Sequence, residues 1–399
     1  MKAAEPHALL ILNTGSSSIK FGIYDAASLS PLLTGRIQDL KGISPRFTIV
    51  DYAGAGPAER SERIGGEHIP SSLAIWLARW VADNGLTLDA AAHRIVSAMQ
   101  HSAPVEISEE ILEDIKITGT TDPEHSLAIL ELISACITKF GGVPQVALFD
   151  SAFHASLPDR VRLLPIPKVY RQMGIRRYGF HGLSYASIMV QVKAVYGQSV
   201  HNGKVVIAHL GNGSSLAAVE SGICIDTTMS FSPTGGIPMS TRSGDLDPSI
   251  VVYLLRHSHG DTAYLTSMLN NESGLKAISG TTGDISALLQ QEGEDIRAKD
   301  AVDMFCYQVR KVIGSYVAAL GGLDMLVFTG GIGEHLPEVR SRICEGLAYM
   351  GIHIDDDKNR ANQMQISPDQ RGPMVCVLPS QEEYEMVRIL RDFMIYKQE

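Results

Sequence analysis

Val205-Val206-Ile207-Ala208-His209-Leu210-Gly211-Asn212-Gly213-Ser214-Ser215-Leu216-Ala217 is the stretch around which this chain is organised. A β-branched, apolar run enters a Gly/Asn/Ser turn and an apolar segment leaves it. That order reads as a β-hairpin whose turn can present backbone N–H groups and hydroxyls to a phosphate. The same order of residue types stands near the N-terminus, Leu9-Leu10-Ile11-Leu12-Asn13-Thr14-Gly15-Ser16-Ser17-Ser18-Ile19-Lys20-Phe21-Gly22. Two such hairpins, about half a chain apart, predict two related halves facing one nucleotide.

Working outward, Asp324-Met325-Leu326-Val327-Phe328 predicts a buried strand running into Thr329-Gly330-Gly331-Ile332-Gly333-Glu334. A single Gly-Ser turn is commonly only a turn. Three Gly/Ser loops at 13–18, 211–215 and 329–333, each closing an apolar strand, point together to phosphate binding. Val146–Phe149 predicts another buried strand, ending at Asp150, and Arg94-Ile95-Val96 a short one. Helical periodicity covers Ser71 to Asn84, Ser126 to Phe140, about Ser184 to Tyr196, Pro248 to His257 and Lys299 to Leu320. A last helix begins near Ser380, where Ser380 and Glu383 fit a capping box, a purely structural use of Glu383. Strands alternating with helices make this an α/β chain.

The 399 residues suffice for about two or three domains. We place the main boundary at residue 152, giving an N-terminal domain 1–152 joined by the C-terminal helix 385–399, and a C-terminal domain 153–384. A formal charge of −10 without a dense Lys/Arg block argues against a nucleic-acid partner. The five cysteines are widely spaced with no C-x-x-C pair, which argues against a disulfide framework or zinc site. No run of about 18 apolar residues occurs and the N-terminus lacks a secretory apolar region, so a cytoplasmic protein without membrane attachment is expected.

A net negative protein that binds anions must concentrate positive charge locally. Lys20 follows the first loop and could reach a terminal phosphate. Arg94 lies in the strand and Arg242 in the polar loop Ser240–Asp245, either as an anion ligand or as half of a surface ion pair. His181 and His209 occupy Gly-flanked turns, where each could donate to a transferring phosphoryl group or serve structurally. Asp150 and Glu382 follow buried strands and suit Mg²⁺, as does the Asn13 carbonyl. His257 and His259 read as solvated surface.

Several motifs together resemble the acetokinase family, within the actin-like, sugar-kinase and heat-shock ATPase superfamily. They are Asn13–Lys20, Phe149-Asp150-Ser151-Ala152-Phe153-His154, Arg177-Tyr178-Gly179-Phe180-His181-Gly182, His209-Leu210-Gly211-Asn212-Gly213, Thr241–Pro248 and Thr329–Glu334. The resemblance covers nearly the whole chain. It implies two duplicated actin-like (ribonuclease H-like) domains with an interdomain active-site cleft, paired as a homodimer, and phosphoryl transfer from ATP to acetate or a similar short acid. It further implies Mg²⁺, with Mn²⁺ as a substitute, at Asn13 and Glu382, and Lys20 on the nucleotide phosphates. Arg94 would bind the carboxylate beside an acyl pocket of Val96, Thr120, Phe180 and Pro233. Asp150 would be the catalytic acid/base, with His181 and Arg242 stabilising the transition state. Nucleotide contacts would come from His209, Leu210, Gly211, Asn212 and Gly213, from Asp284, Ile285 and Ser286, and from Gly331, Ile332, Gly333, Glu334 and His335.

Elementary chemistry modifies one of these roles. A carboxylate nucleophile is already ionised near neutrality and needs no general base, so Asp150 is expected to orient Arg94 or the metal. The chain also departs from the family pattern. Ser97-Ala98-Met99 replaces His-Gly-Gly, Thr120-Thr121 stands for Leu-His, Leu183-Ser184-Tyr185 for Thr-Ser-His, and Ser286 for an arginine. These changes leave propionate, another short acid, or a non-catalytic nucleotide-binding regulator as alternatives.

Overall fold

Both hairpins form. The computed structural model describes residues 6–15, 18–40, 45–52, 56–64, 68–96, 101–118, 123–369 and 372–398, with backbone alone for 118, 123–126 and 398. Strands β1 (His7–Thr14) and β2 (Ser18–Asp25) pair antiparallel with Asn13 opposite Lys20. The sheet continues through β3 (Pro31–Gln38), β4 (Arg46–Asp51), β5 (Ala58–Glu62), β6 (Thr87–Ile95), β7 (Val105–Glu106) and β8 (Gln145–Phe149), in the spatial order β5-β4-β3-β2-β1-β6-β8-β7. The second sheet holds β9 (Lys204–Leu210), β10 (Ser214–Glu220), β11 (Ile223–Thr227), β12 (Met325–Thr329) and β13 (Met374–Val377), ordered β11-β10-β9-β12-β13.

The inner five strands of the first sheet, β3-β2-β1-β6-β8, repeat that second order. In each sheet an antiparallel meander of three is followed by two strands parallel to the first. Parallel neighbours need crossover connections, and helices supply them on the sheet faces. By contacts the chain divides into one unit of Met1–Ala152 with Gln381–Glu399, and a second of Phe153–Ser380.

Alternation along the strands decides what each helix covers. Val206, Ala208, Leu210, Leu326 and Phe328 share a core with Phe305, Val309 and Ile313 of the Ile296–Leu320 helix. Val205, Ile207, Met325 and Val327 share another with Tyr185, Ile188, Met189 and Val192 of the Gly182–His201 helix. In the first unit, Leu10 and Leu12 pack with Leu73, Leu77 and Leu132, whereas Asn13 on the opposite face meets the Glu382–Gln398 helix. Asn13 and His209 thus stand one residue before the ends of β1 and β9, each on a helix-covered face.

Two expectations need correction. The strand at Arg94 is the end of a nine-residue strand, β6, whose start at Thr87 is hidden by the weakly β-forming run Ala90-Ala91-Ala92. Burial of all three alanines against the sheet's helices decides the matter. The segment after β12 is no loop, since helix begins at Gly330 and runs to His335. Gly330 has φ +77°, and a Cβ there would lie 2.6 Å from the Leu210 carbonyl oxygen, so this close approach of β12 to β9 requires glycine.

Candidate active site

Six polar side chains gather at the carboxyl ends of β1, β6 and β8, the start of β2 and the start of the last helix. Arg94, on β6, donates through Nη2 to Asp150 Oδ2 at 2.8 Å and through Nη1 to Asn13 Oδ1 at 3.0 Å and Glu382 Oε2 at 3.3 Å. The Asn13 amide donates to Glu382 Oε2 at 3.0 Å and to Glu383 Oε1 at 2.7 Å, and Lys20 Nζ stands 3.4 Å from Glu383 Oε1. Asn13, Asp150 and Glu382 are buried. Burial works against the Arg94 charge, but the adjacent Asp150 and Glu382 carboxylates outweigh it and push its pKa above the ordinary arginine value. Burial likewise works against Lys20, and Glu383 and Glu382 again win, raising it.

Two features of this cluster matter chemically. Arg94 Nε is buried and has no hydrogen-bond partner among the described residues, so one guanidinium N–H is held for an acceptor. Three carboxylates, Asp150, Glu382 and Glu383, face two cations, Arg94 and Lys20. One formal negative charge is left over, and every donor atom available to a cation is a hard oxygen. That set fits Mg²⁺. Glu383 does not make the expected capping box. The helix starts at Glu382, the Ser380 hydroxyl meets Ser184 Oγ at 3.0 Å instead, and Glu383 is spent on Asn13 and Lys20. Spacing alone could not find Glu383, because a capping box accounts for it equally well.

A second cluster lies wholly in the other unit. His181 caps the Gly182–His201 helix in the left-handed conformation (φ 59°) and bonds Ser215 Oγ through Nδ1 at 2.8 Å. Its ring lies 4.2 Å, centroid to centroid, from that of His209, whose Nδ1 meets Ser184 Oγ at 2.8 Å. A Cβ on Gly213 would sit 3.2 Å from Arg242 Nη1 and 3.3 Å from His181 Nε2, so the guanidinium and the imidazole converge over bare backbone. Arg242 is aimed there by the Pro233 carbonyl, 3.4 Å from Nη1, and by Met239. Arg242, His181 and Gly213 therefore form a polar surface that carries the Arg242 charge and suits an anion. The hydroxyls of the hairpin turn are not presented outward as expected. Ser214 Oγ donates to the Gly211 carbonyl, and Ser215 is buried against His181 and Tyr185.

The acetokinase family pattern matches residues 8–388. An acetate kinase of Trichormus variabilis is 36% identical, the alignment covering 95% of this chain and 98% of that one. An acetate kinase of Microcystis aeruginosa is 37% identical over 95% and 98%. Among solved structures, a propionate kinase from Francisella tularensis superposes with a TM-score of 0.86 at 32% identity, covering 96% of this chain and 98% of its own. The chain belongs to the acetokinase family. Its fold, two α/β sheets of shared strand order, is that of the family's solved members, including acetate kinase of Porphyromonas gingivalis at TM-score 0.81.

The remaining positions to which the family resemblance gives roles fall as follows. Phe180 and Pro233 are buried in the second unit and Val96 is half-buried at the end of β6, while Thr120 lies outside the described residues, as do Ser97 and Thr121. Leu210 and Ile285 put their side chains into the core, leaving only backbone for a nucleotide. Asp284 caps the Ile285–Gln291 helix by accepting from the Ser286 N–H at 2.9 Å. Glu334 accepts the N–H groups of Gly330 and Ser380 and so ties the Gly330–His335 helix to the strand end. Gly331 and His335 are exposed, Ile332 is half-buried and Gly333 is buried. Among the described residues, no helix is long and apolar enough to cross a membrane.

Proposed function

We propose that this protein catalyses reversible, Mg²⁺-dependent phosphoryl transfer from ATP to a short carboxylate, acetate by default with propionate as nearest rival, giving an acyl phosphate and ADP. The observation that carries the reading is the buried Nε of Arg94, without a partner among the described residues and locked in place by Asp150, Asn13 and Glu382. A planar guanidinium held this way is made to take a carboxylate oxygen.

In the forward direction a carboxylate oxygen attacks the γ-phosphorus as the bond to the β-phosphate oxygen breaks, in line. Arg94 orients the acceptor. Asp150, 2.8 Å from Arg94 Nη2, orients Arg94 and has no proton to remove, since the nucleophile arrives ionised. Arg242 Nη1 and His181 Nε2 donate to the equatorial oxygens as negative charge redistributes. Lys20 is half-exposed, and an ion pair such as the one it makes with Glu383 is worth at most about 1 kcal/mol, so it is free to swing to a phosphate. Asn13 and Glu382, with Asp150 beside them, would hold Mg²⁺ (or Mn²⁺), which supplies charge neutralisation on the phosphates. The first unit thereby takes the acceptor and metal, and the second, through 209–213, 284–286 and 331–335, the nucleotide.

Two further properties belong to this reading. The Pro248–His257 helix buries none of its residues, although Ile250, Val252 and Tyr253 stand 45%, 48% and 60% exposed, and such a face supports a homodimer. The five cysteines are buried free thiols, as expected in the cytoplasm. Trapping acyl phosphate as its hydroxamate, with Mg-ATP and acetate, propionate, butyrate or glycolate, tests the activity and ranks the acids. Product from none of them would overturn the kinase reading in favour of a nucleotide-binding regulator.

A further inference from the structure

The Gly182–His201 helix aims one hydroxyl at His209 and the next, through Ser215, at the neighbouring His181. Ser184 Oγ meets His209 Nδ1 at 2.8 Å, and its neighbour Tyr185 meets Ser215 Oγ at 2.5 Å, which in turn lies 2.8 Å from His181 Nδ1. Tyr185 and Ser215 are fully buried, so this relay excludes water. Tyr185 stands where the family resemblance expects histidine, and the mechanism above does not use it.

We propose that Tyr185 is a positioning residue for His181, acting through Ser215 to hold the imidazole as the Nε2–H tautomer with that N–H directed at the transferring phosphoryl group. The inference rests on the kinase reading for its catalytic consequence, but not for the tautomer itself. A serine hydroxyl has one hydrogen, and here it has two partners. A phenol is a better donor and a poorer acceptor than an alkyl hydroxyl, so Tyr185 donates to Ser215 Oγ. Ser215 is then left to donate its own hydrogen to His181 Nδ1. A ring nitrogen that accepts carries no proton, which puts the single proton of neutral imidazole on Nε2. Nε2 is the atom that converges with Arg242 Nη1 over Gly213. The ionisable groups packed about the ring include His209, Arg242 and Tyr185.

The test combines spectroscopy with kinetics on the full chain. In ¹⁵N-histidine-labelled protein, with His181 signals assigned by their loss in His181→Gln, wild type is expected to show Nδ1 unprotonated and Nε2 protonated. Tyr185→Phe keeps the ring packing and removes only the hydroxyl. It should shift His181 toward the Nδ1–H form and lower kcat about tenfold, the rate equivalent of one net hydrogen bond. KM for ATP and for the acid should stay within about twofold, and Tyr185→His, which restores a donor, should recover most of the rate. Adding Ser215→Ala to Tyr185→Phe should cost little more, since both act through one relay. Nδ1–H at His181 in wild type, or an unchanged tautomer and kcat in Tyr185→Phe, would overturn the proposal. Absence of acyl phosphate from the wild type would instead remove the kinase reading, and the tautomer measurement would still stand.

Discussion

Glu383 links the Asn13 amide to the Lys20 ammonium, and its charge is the one in excess of the cluster's two cations. Glu383→Gln should therefore raise the Mg²⁺ concentration needed for half-maximal activity several-fold. Stability should move by less than about 1 kcal/mol, because Lys20 is half-exposed and its pairing is screened. A Mg²⁺ titration beside a thermal melt decides it, and an unchanged titration would take Glu383 out of the site. Ser286 offers a second prediction. With a hydroxyl where a guanidinium is usual, discrimination between ATP and GTP should be weak, and Ser286→Arg should sharpen it several-fold. Equal selectivity in the two proteins would count against this. At this scale the sequence singles out charged groups in distinctive contexts, such as Arg94 and Arg242, while leaving open whether each is an anion ligand or half of an ion pair. It is silent on Glu383, Tyr185 and Ser215, whose residue types suit a cap, a core and a turn equally well.

Strand β6 carries a consequence of its own burial. His93, beside Arg94, is 2% exposed and bonds Gln145 at 2.8 Å. Loss of solvation pushes its pKa down from 6.5 to about 4, only partly offset by Gln145. The unfolded chain takes up a proton that the folded strand refuses, so this contribution to stability is full above about pH 6.5 and is lost as pH falls toward 4. The loss amounts to roughly 3 kcal/mol. Urea denaturation at pH 7 and pH 4.5 should show His93→Gln losing less stability between the two than wild type; equal losses would contradict the assignment. Elements with strong periodicity, such as the two hairpins and the Ile296–Leu320 helix, are legible because one face of each is apolar at a fixed spacing. The alanine run in β6 and the helical start at Gly330 are not. Their conformation is set by neighbours that the local sequence does not contain.

For the whole molecule, the exposed apolar face of the Pro248–His257 helix leads to a measurable expectation. Light scattering should give twice the chain mass of 43.2 kDa for wild type, and Val252→Glu should reduce it to the monomer while leaving the melt within a few degrees. A monomeric wild type would remove the dimer.

The duplication, the α/β class and the family were determined by the sequence alone. Strand periodicity and Gly-rich strand ends are local patterns, and the apolar run on either side of Gly211-Asn212-Gly213 already requires a hairpin. Only the tertiary structure decided what those strand ends do. It brings Glu382 and Glu383 from the far end of the chain onto Asn13 and Lys20, turns the Ser215 hydroxyl inward to His181, and leaves Arg94 Nε buried without a partner among the described residues. Hydrogen bonds across up to 370 positions of sequence have no local signature, because they depend on which face of each strand a distant helix covers.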